Sequence, residues 1–180
     1  MTKTPKVVNI SDSAMVVLIG AAGSGKSTFA NARFRATEIL SSDFFRALVS
    51  DDEGDQDATD DAFELLHLTL EKRLRRGKLC VVDATNVRAE HRAKLLAKAA
   101  AFQRQAVAII LETPLIICVE RAASRAGRSV SAAIIRQQTK ELGPQLADDL
   151  LREGFASVFH ISSLDQVEIE RTTTATARLK

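Results

Sequence analysis

The sequence predicts an α/β fold, a parallel sheet with helices packed on both faces. Two observations carry this. Five short apolar runs, at Met15–Ile19, 38–40, 79–82, Ala106–Leu111 and 156–161, alternate with helical patterns, and that order of elements builds a parallel sheet with helical crossovers. The first run, M-V-V-L-I, is apolar at every position, as suits a strand buried on both faces.

Taken in order, residues 1–14 read as an N-terminal extension and 15–170 as one domain. At 180 residues the chain has room for a single core. After the first strand, a helix is expected from Lys26 through Phe34. The strand at 38–40 runs into Ser41, Ser42 and Asp43, which can cap a helix from Phe44 to about Ser50. Residues 51–61 (D-D-E-G-D-Q-D-A-T-D-D) are too polar to pack and predict an exposed loop feeding a helix whose N-terminus tolerates negative charge. That helix carries Ala62, Phe63, Leu66, Leu70 and Leu74 at helical spacing and stops at Gly77. An alanine-rich helix is expected over 88–102. Pro114 then suits the first position of a helix carrying Glu120, Arg121 and Arg125. Two more helical patterns cover about 130–142 and 144–152. Residues 171–180, threonine-rich and polar, are expected to be a disordered tail.

Composition excludes little but points away from some partners. The net charge of +2 and pI of 8.7 fall short of a strongly basic nucleic-acid-binding domain. Eight Phe with no Trp or Tyr make an aromatic stacking platform for bases sparse. Cys80 and Cys118 lie far apart with no metal-ligand spacing and read as buried thiols of a reducing compartment. No signal peptide and no run of membrane-spanning length is seen, so a cytoplasmic protein with no membrane partner is expected.

Chemistry begins at Gly20-Ala21-Ala22-Gly23-Ser24-Gly25-Lys26-Ser27, a match to the Walker A motif G-x-x-x-x-G-K-[ST], placed between a strand and a helix as that motif requires. Glycines let successive N–H groups point inward as an anion nest at a helix N-terminus. Lys26 is expected to reach the β- and γ-phosphates of ATP, and Ser27 to offer its hydroxyl to Mg²⁺. Gly20, Gly23, Ser24, Gly25, Lys26, Ser27 and Thr28 make up the expected ATP-binding segment.

A phosphotransferase also needs a group that orients and deprotonates an acceptor hydroxyl. In an open α/β sheet such groups lie at the carboxyl ends of strands. Asp43 and Asp83 are the two aspartates there. Asp83, ending L-C-V-V-D, resembles the acidic residue after a Walker B strand that helps hold the metal, which leaves Asp43 as candidate base or simple helix cap. Arg121 and Arg125, at i and i+4, can close over a transferring phosphate or form a solvated basic face with Arg128. His67, His91 and His160 carry no partner pattern and read as packing or solvent-facing residues.

Three further segments, L-S-S-D-F-F-R-A-L-V-S-D-D-E-G-D-Q (40–56), G-K-L-C-V-V-D-A-T-N-V (77–87) and R-E-G-F (152–155), join G-S-G-K-S-T-F-A in a more specific pattern. Together they resemble the kinase domain of bacterial polynucleotide 5′-kinase/3′-phosphatase, over about 16–169. That resemblance implies a P-loop kinase fold with a five-stranded parallel sheet, the phosphate-loop strand in its middle, and a helical lid. It implies that Asp43 is the general base for a 5′-hydroxyl and that Arg46 contacts the acceptor nucleotide's phosphate. It also implies that Lys26 and Ser27 bind ATP and metal, and that Arg121 and Arg125 belong to the lid. The expected partners are ATP and 5′-hydroxyl ends of RNA or DNA. The phosphatase and ligase-like domains of larger members have no counterpart here, so only the kinase half is expected. Two other readings stay open, a kinase of a small hydroxyl metabolite or nucleotide sugar, and an ATP-binding regulatory protein with no acceptor.

Overall fold

The computed structural model describes residues 6–124, 130–162 and 167–173. The predicted sheet is present. Strands β2 (Met15–Ile19), β3 (Ile39–Ser41), β4 (Cys80–Asp83), β5 (Ala106–Leu111) and β6 (Ser157–Ile161) form one parallel sheet in the order β3-β4-β2-β5-β6. The strand that feeds the phosphate loop is central, and every residue of β2, β4 and β5 is buried.

Alternate residues of those strands serve two cores, because successive strand side chains point to opposite faces. On one face Met15, Val17 and Ile19 meet Leu66, Leu70 and Leu74 of α3 (Thr59–Arg75), Leu95 of α4 (Ala89–Ala101) and Leu150 of α7 (Leu146–Glu153). On the other, Val16 and Leu18 meet Phe29 of α1 (Lys26–Arg33), with Phe34 just beyond that helix. The remaining helices are α2 (Ser42–Ser50), α5 (Leu115–Ala123) and α6 (Ala132–Glu141). Cys118 and Ala122 of α5 and Ile135 of α6 pack with Ala21 of the phosphate loop in a third, smaller core. Both cysteines are free and buried. Among the described residues, no helix is long and apolar enough to cross a membrane.

Both chain ends depart from the expectation. Residues 1–14 were expected to be an extension, yet β1 (Lys6–Ser11) pairs in parallel with β7 (Val167–Thr172) as a second, two-stranded sheet. Val8 and Ile10 are buried against the Phe29 face, so β1 is part of the core. Arg171 and Thr172, placed in the tail by their polarity, belong to this ribbon, and Arg171 makes two hydrogen bonds to Glu38 at 2.7 and 2.8 Å. A local reading misses a pair of strands more than 150 residues apart because neither is strongly apolar alone, and only their pairing satisfies both backbones. Residues 174–180 lie outside the described residues.

Candidate active site

The phosphate loop has the backbone its sequence requires. Gly23 and Gly25 take positive φ values of 81° and 92°. Neighbouring elements fix the loop from three sides. Gly20 N–H donates to the Thr85 carbonyl after β4 (3.1 Å), Thr113 Oγ1 donates to the Ser24 carbonyl (2.9 Å), and Ala22 N–H donates to Gln138 Oε1 on α6 (2.8 Å). Lys26 is folded back onto this loop, its Nζ donating to the Gly20 and Ala21 carbonyls at 2.8 Å each.

Most of the expected residues converge. Lys26, Ser27, Asp43, Arg46 and Asp83 all line one cavity of about 220 Å³, together with the backbone of Gly23 and Gly25. Asp83 is buried at the end of β4, and the register Ser41↔Asp83 aligns it with the last residue of β3. The cap of α2 is Ser41, whose Oγ accepts from Phe44 N–H at 3.4 Å. Asp43 therefore sits inside the first turn and is not required as the cap. Its Oδ1 accepts from Arg46 Nη2 at 2.7 Å and from Ser42 Oγ at 3.3 Å.

The other expected residues differ in placement. The Arg46 side chain is only 5% exposed, and besides Asp43 it donates to the Glu53 carbonyl at 3.0 Å. It thus ties the acidic loop to the start of α2. Ser24 lines a different cavity, while Thr28 is exposed and lines neither of the two that flank the loop. Arg121 is exposed at the end of α5, and its charge, with that of Lys26, partly offsets the burial that raises the Cys118 thiol. The helix ends at Ala123, and Arg125 and Arg128 lie outside the described residues.

Some site residues carried no role in the sequence reading. Asn86, at φ 49°, donates its amide to the Leu18 carbonyl at 2.8 Å and to the Ala84 carbonyl at 3.2 Å, holding the turn after β4 against the phosphate-loop strand. Its place in D-A-T-N was the available signal. Gln138 and Thr113 bond the loop only through tertiary contact, for which local spacing gives no sign. His91, read as a packing or solvent-facing residue, lines the cavity of Lys26, Asp43 and Asp83 beside Phe63 and Thr59.

A second cavity of about 640 Å³ lies across the loop, lined by Ala21 and Ser24, by Leu111 to Pro114 after β5, and by Leu142 and Gly143 after α6. The chain leaves β2 toward β3 on one side of the sheet and β5 toward β6 on the other. This cavity therefore opens at the topological switch point, where open α/β sheets bind ligands.

Comparison with known proteins agrees with this architecture. A gluconokinase from Sinorhizobium meliloti 1021 superposes with a TM-score of 0.53 at 19% identity over 87% of both chains. A chain of the Pnkp1/Rnl/Hen1 RNA repair complex superposes with a TM-score of 0.61 at 19% identity, covering 78% of this chain and 45% of that one. At such identities the likeness is one of fold, and the fold is that of the P-loop kinases. In sequence, the protein named "Transcription factor bHLH140" of Arabidopsis thaliana is 28% identical over 152 residues, which are 80% of this chain. The chain spans only 15% of the length of that relative. A family model described as "AAA domain" matches residues 15–145, most of the sheet and the whole phosphate loop, and the chain belongs to that family.

Proposed function

We propose that this chain transfers the γ-phosphate of ATP to the 5′-hydroxyl end of RNA or DNA. The observation that carries the phosphotransfer reading is the convergence of Lys26, Ser27, Asp43 and Asp83 on one cavity, with Ser41 rather than Asp43 capping α2. Polynucleotide ends as acceptor are supported by the S-S-D-F-F-R and D-A-T-N segments and by the likeness to a chain of an RNA repair complex.

The donor's phosphates fit the N–H groups of the glycine loop, and its base fits the cavity at the switch point. Lys26 now bonds the loop's own carbonyls, so it is already held at the phosphate end of the site. The Ser27 hydroxyl and the Asp83 carboxylate are oxygen donors on one cavity wall, which suits Mg²⁺ completed by phosphate oxygens. When bound, that ion neutralises charge between the phosphates. Asp43 accepts the acceptor hydroxyl's proton as its oxygen bonds to the γ-phosphorus and the bond to the β-phosphate oxygen breaks, releasing ADP. Arg46 positions the Asp43 carboxylate through their 2.7 Å hydrogen bond.

One observation favours a second reading, a kinase of a small hydroxyl compound. Arg46 is engaged by Asp43 and Glu53 and is nearly buried, and an acidic loop borders the acceptor side, where it repels a polyanion.

The test is transfer of labelled γ-phosphate to a 5′-hydroxyl RNA, a matched DNA and a 5′-phosphorylated control. Label on hydroxyl ends alone, reduced at least about 100-fold in Asp43→Asn with ATP binding retained, is the expected result. Full activity in Asp43→Asn removes its role as base. No label on either polymer, with ATP still bound, transfers the assignment to small hydroxyl compounds.

A further inference from the structure

The transfer cavity does not end at Asp43. A third cavity, of about 370 Å³, opens between α3 and α4 and shares Thr59, Phe63 and His91 with it. Three flat rings meet there: Phe63 lies 6.3 Å from His91 and 6.4 Å from His67 between ring centroids, tilted by 47° and 38°. Buried Val82 and Leu95 supply apolar walls. Two residues of this lining, Thr59 and His67, carry buried polar atoms, Oγ1 and Nδ1, that have no hydrogen-bond partner among the described residues. Orphaned buried polar atoms are uncommon in native structures and call for a water, ion or ligand.

The chemistry of the lining selects a class of ligand. Charge is mixed at the edge, with Asp60 and Glu64 against Lys94, so no single-sign field favours an ion. Burial, aided by Lys98, Lys94 and His91, holds the His67 imidazole pKa down. A neutral imidazole nitrogen and a hydroxyl can each match a donor or an acceptor, and ring faces favour a flat partner. The cavity thus suits an uncharged planar ring bearing hydrogen-bonding atoms at its edge, and its volume falls in the range of small-molecule sites.

We propose that the α3–α4 cavity is the acceptor's base subsite, taking the heteroaromatic ring of the nucleoside that carries the reacting hydroxyl. Phe63 presents a ring face, and Thr59 Oγ1 and His67 Nδ1 hydrogen-bond the ring edge. This rests on the hydroxyl-end reading above, since the shared wall of Thr59, Phe63 and His91 joins the base to the hydroxyl at Asp43.

Two measurements on the full chain test it. The first follows the imidazole NMR signals of the three histidines with ADP and Mg²⁺ saturating the donor cavity, adding uridine or methyl riboside. Uridine is expected to shift His67 and His91 saturably and leave His160 unmoved, while the riboside shifts none of them. The second compares a 5′-hydroxyl oligonucleotide with one whose terminal sugar lacks its base. The abasic end is expected to raise KM at least tenfold with little change in kcat. Phe63→Ala should raise KM for the normal end and not for the abasic one, and Thr59→Val provides the same comparison if Phe63→Ala does not fold. Equal KM for the two ends, with His67 and His91 unmoved by uridine, overturns the subsite while leaving the kinase reading intact. Absence of transfer to any oligonucleotide overturns the polynucleotide-end reading instead, and the histidine shifts then decide the cavity alone: movement with uridine supports a ring subsite, and none overturns it.

Discussion

Gly23 shows how a single residue couples the phosphate loop to α5. Its φ of 81° is strained for any L side chain, and a Cβ there would lie 2.1 Å from the Cys118 carbonyl oxygen. That oxygen belongs to the backbone of α5 and cannot rotate away. Gly23→Ala must either shift α5 or flatten the loop, and the loop's N–H groups would no longer converge on one point. The expected cost is about 3 kcal/mol from backbone strain and overpacking together. Urea denaturation measures that cost, and titration with a fluorescent ATP analogue should show binding weakened at least about tenfold, since 1.4 kcal/mol is a factor of ten. A variant with unchanged affinity would mean that the loop reaches its binding form without this packing. Residues of this kind were legible in the sequence, because G-x-x-x-x-G-K-S specifies a backbone as well as a side chain. Gln138 and Thr113 were not, because what makes them matter is the loop atom each reaches, and that atom lies 89 or more residues away.

Among the elements, most of the expected strands and helices appear within a residue or two, and Ala106–Leu111 appears as read. Apolar runs bounded by Gly, Pro and capping residues define such elements locally. Two segments that looked independent are joined in space by a residue outside both. Arg92 of α4 forms a two-point pair with Glu153 of α7, at 2.8 and 2.6 Å, and its remaining nitrogen donates to the Asn86 and Val87 carbonyls at 3.0 and 2.6 Å. Glu153 lies in R-E-G-F and Asn86 in D-A-T-N, so this guanidinium links both to the turn that borders the cavity of Lys26, Asp43 and Asp83. The Arg92 side chain is 4% exposed, and replacing its charge partner with glutamine leaves a buried cation with no counter-charge and at most three of its four hydrogen bonds. Glu153→Gln is therefore expected to cost about 3 kcal/mol, within the range for breaking a buried pair. It should also lower kcat more than ATP affinity, because Asn86 lies in the turn that follows Asp83 at the end of β4, while the cavity of about 640 Å³ proposed for the ATP base lies across the loop. Denaturation curves and steady-state kinetics would check both. Loss of stability with unchanged kcat would confine the pair to a structural role.

At the scale of the whole molecule, the ribbon of β1 and β7 closes the chain on itself and carries a charge pair with the segment before β3. Arg171 grips the buried Glu38 through both carboxylate oxygens, and Arg33 of α1 donates to the Val167 carbonyl at 2.9 Å. The ribbon is thereby joined to the segment that leads into β3, and through it to the start of α2, where Asp43 stands. Burial raises the Glu38 pKa, but the hydrogen bond from Arg171, the Arg35 N–H and the charges of both arginines outweigh it and leave the carboxyl below its ordinary value. A carboxyl whose folded pKa lies below its unfolded one contributes stability that is complete above the unfolded value, about 4.3, and fades as pH falls through the folded value. Glu38→Gln removes that contribution. The variant is expected to be about 2 kcal/mol less stable than the parent at pH 7, a magnitude set by charged hydrogen bonds to a largely buried group. The gap should narrow steadily below about pH 4.3, as the carboxyl takes up a proton first in the unfolded chain and, at lower pH, in the folded one. Urea denaturation of both proteins at a series of pH values measures it. A gap that stays constant down to pH 3 would mean that Glu38 acts through shape and hydrogen bonding alone, and that the charge on Arg171 does not hold the ribbon to the domain.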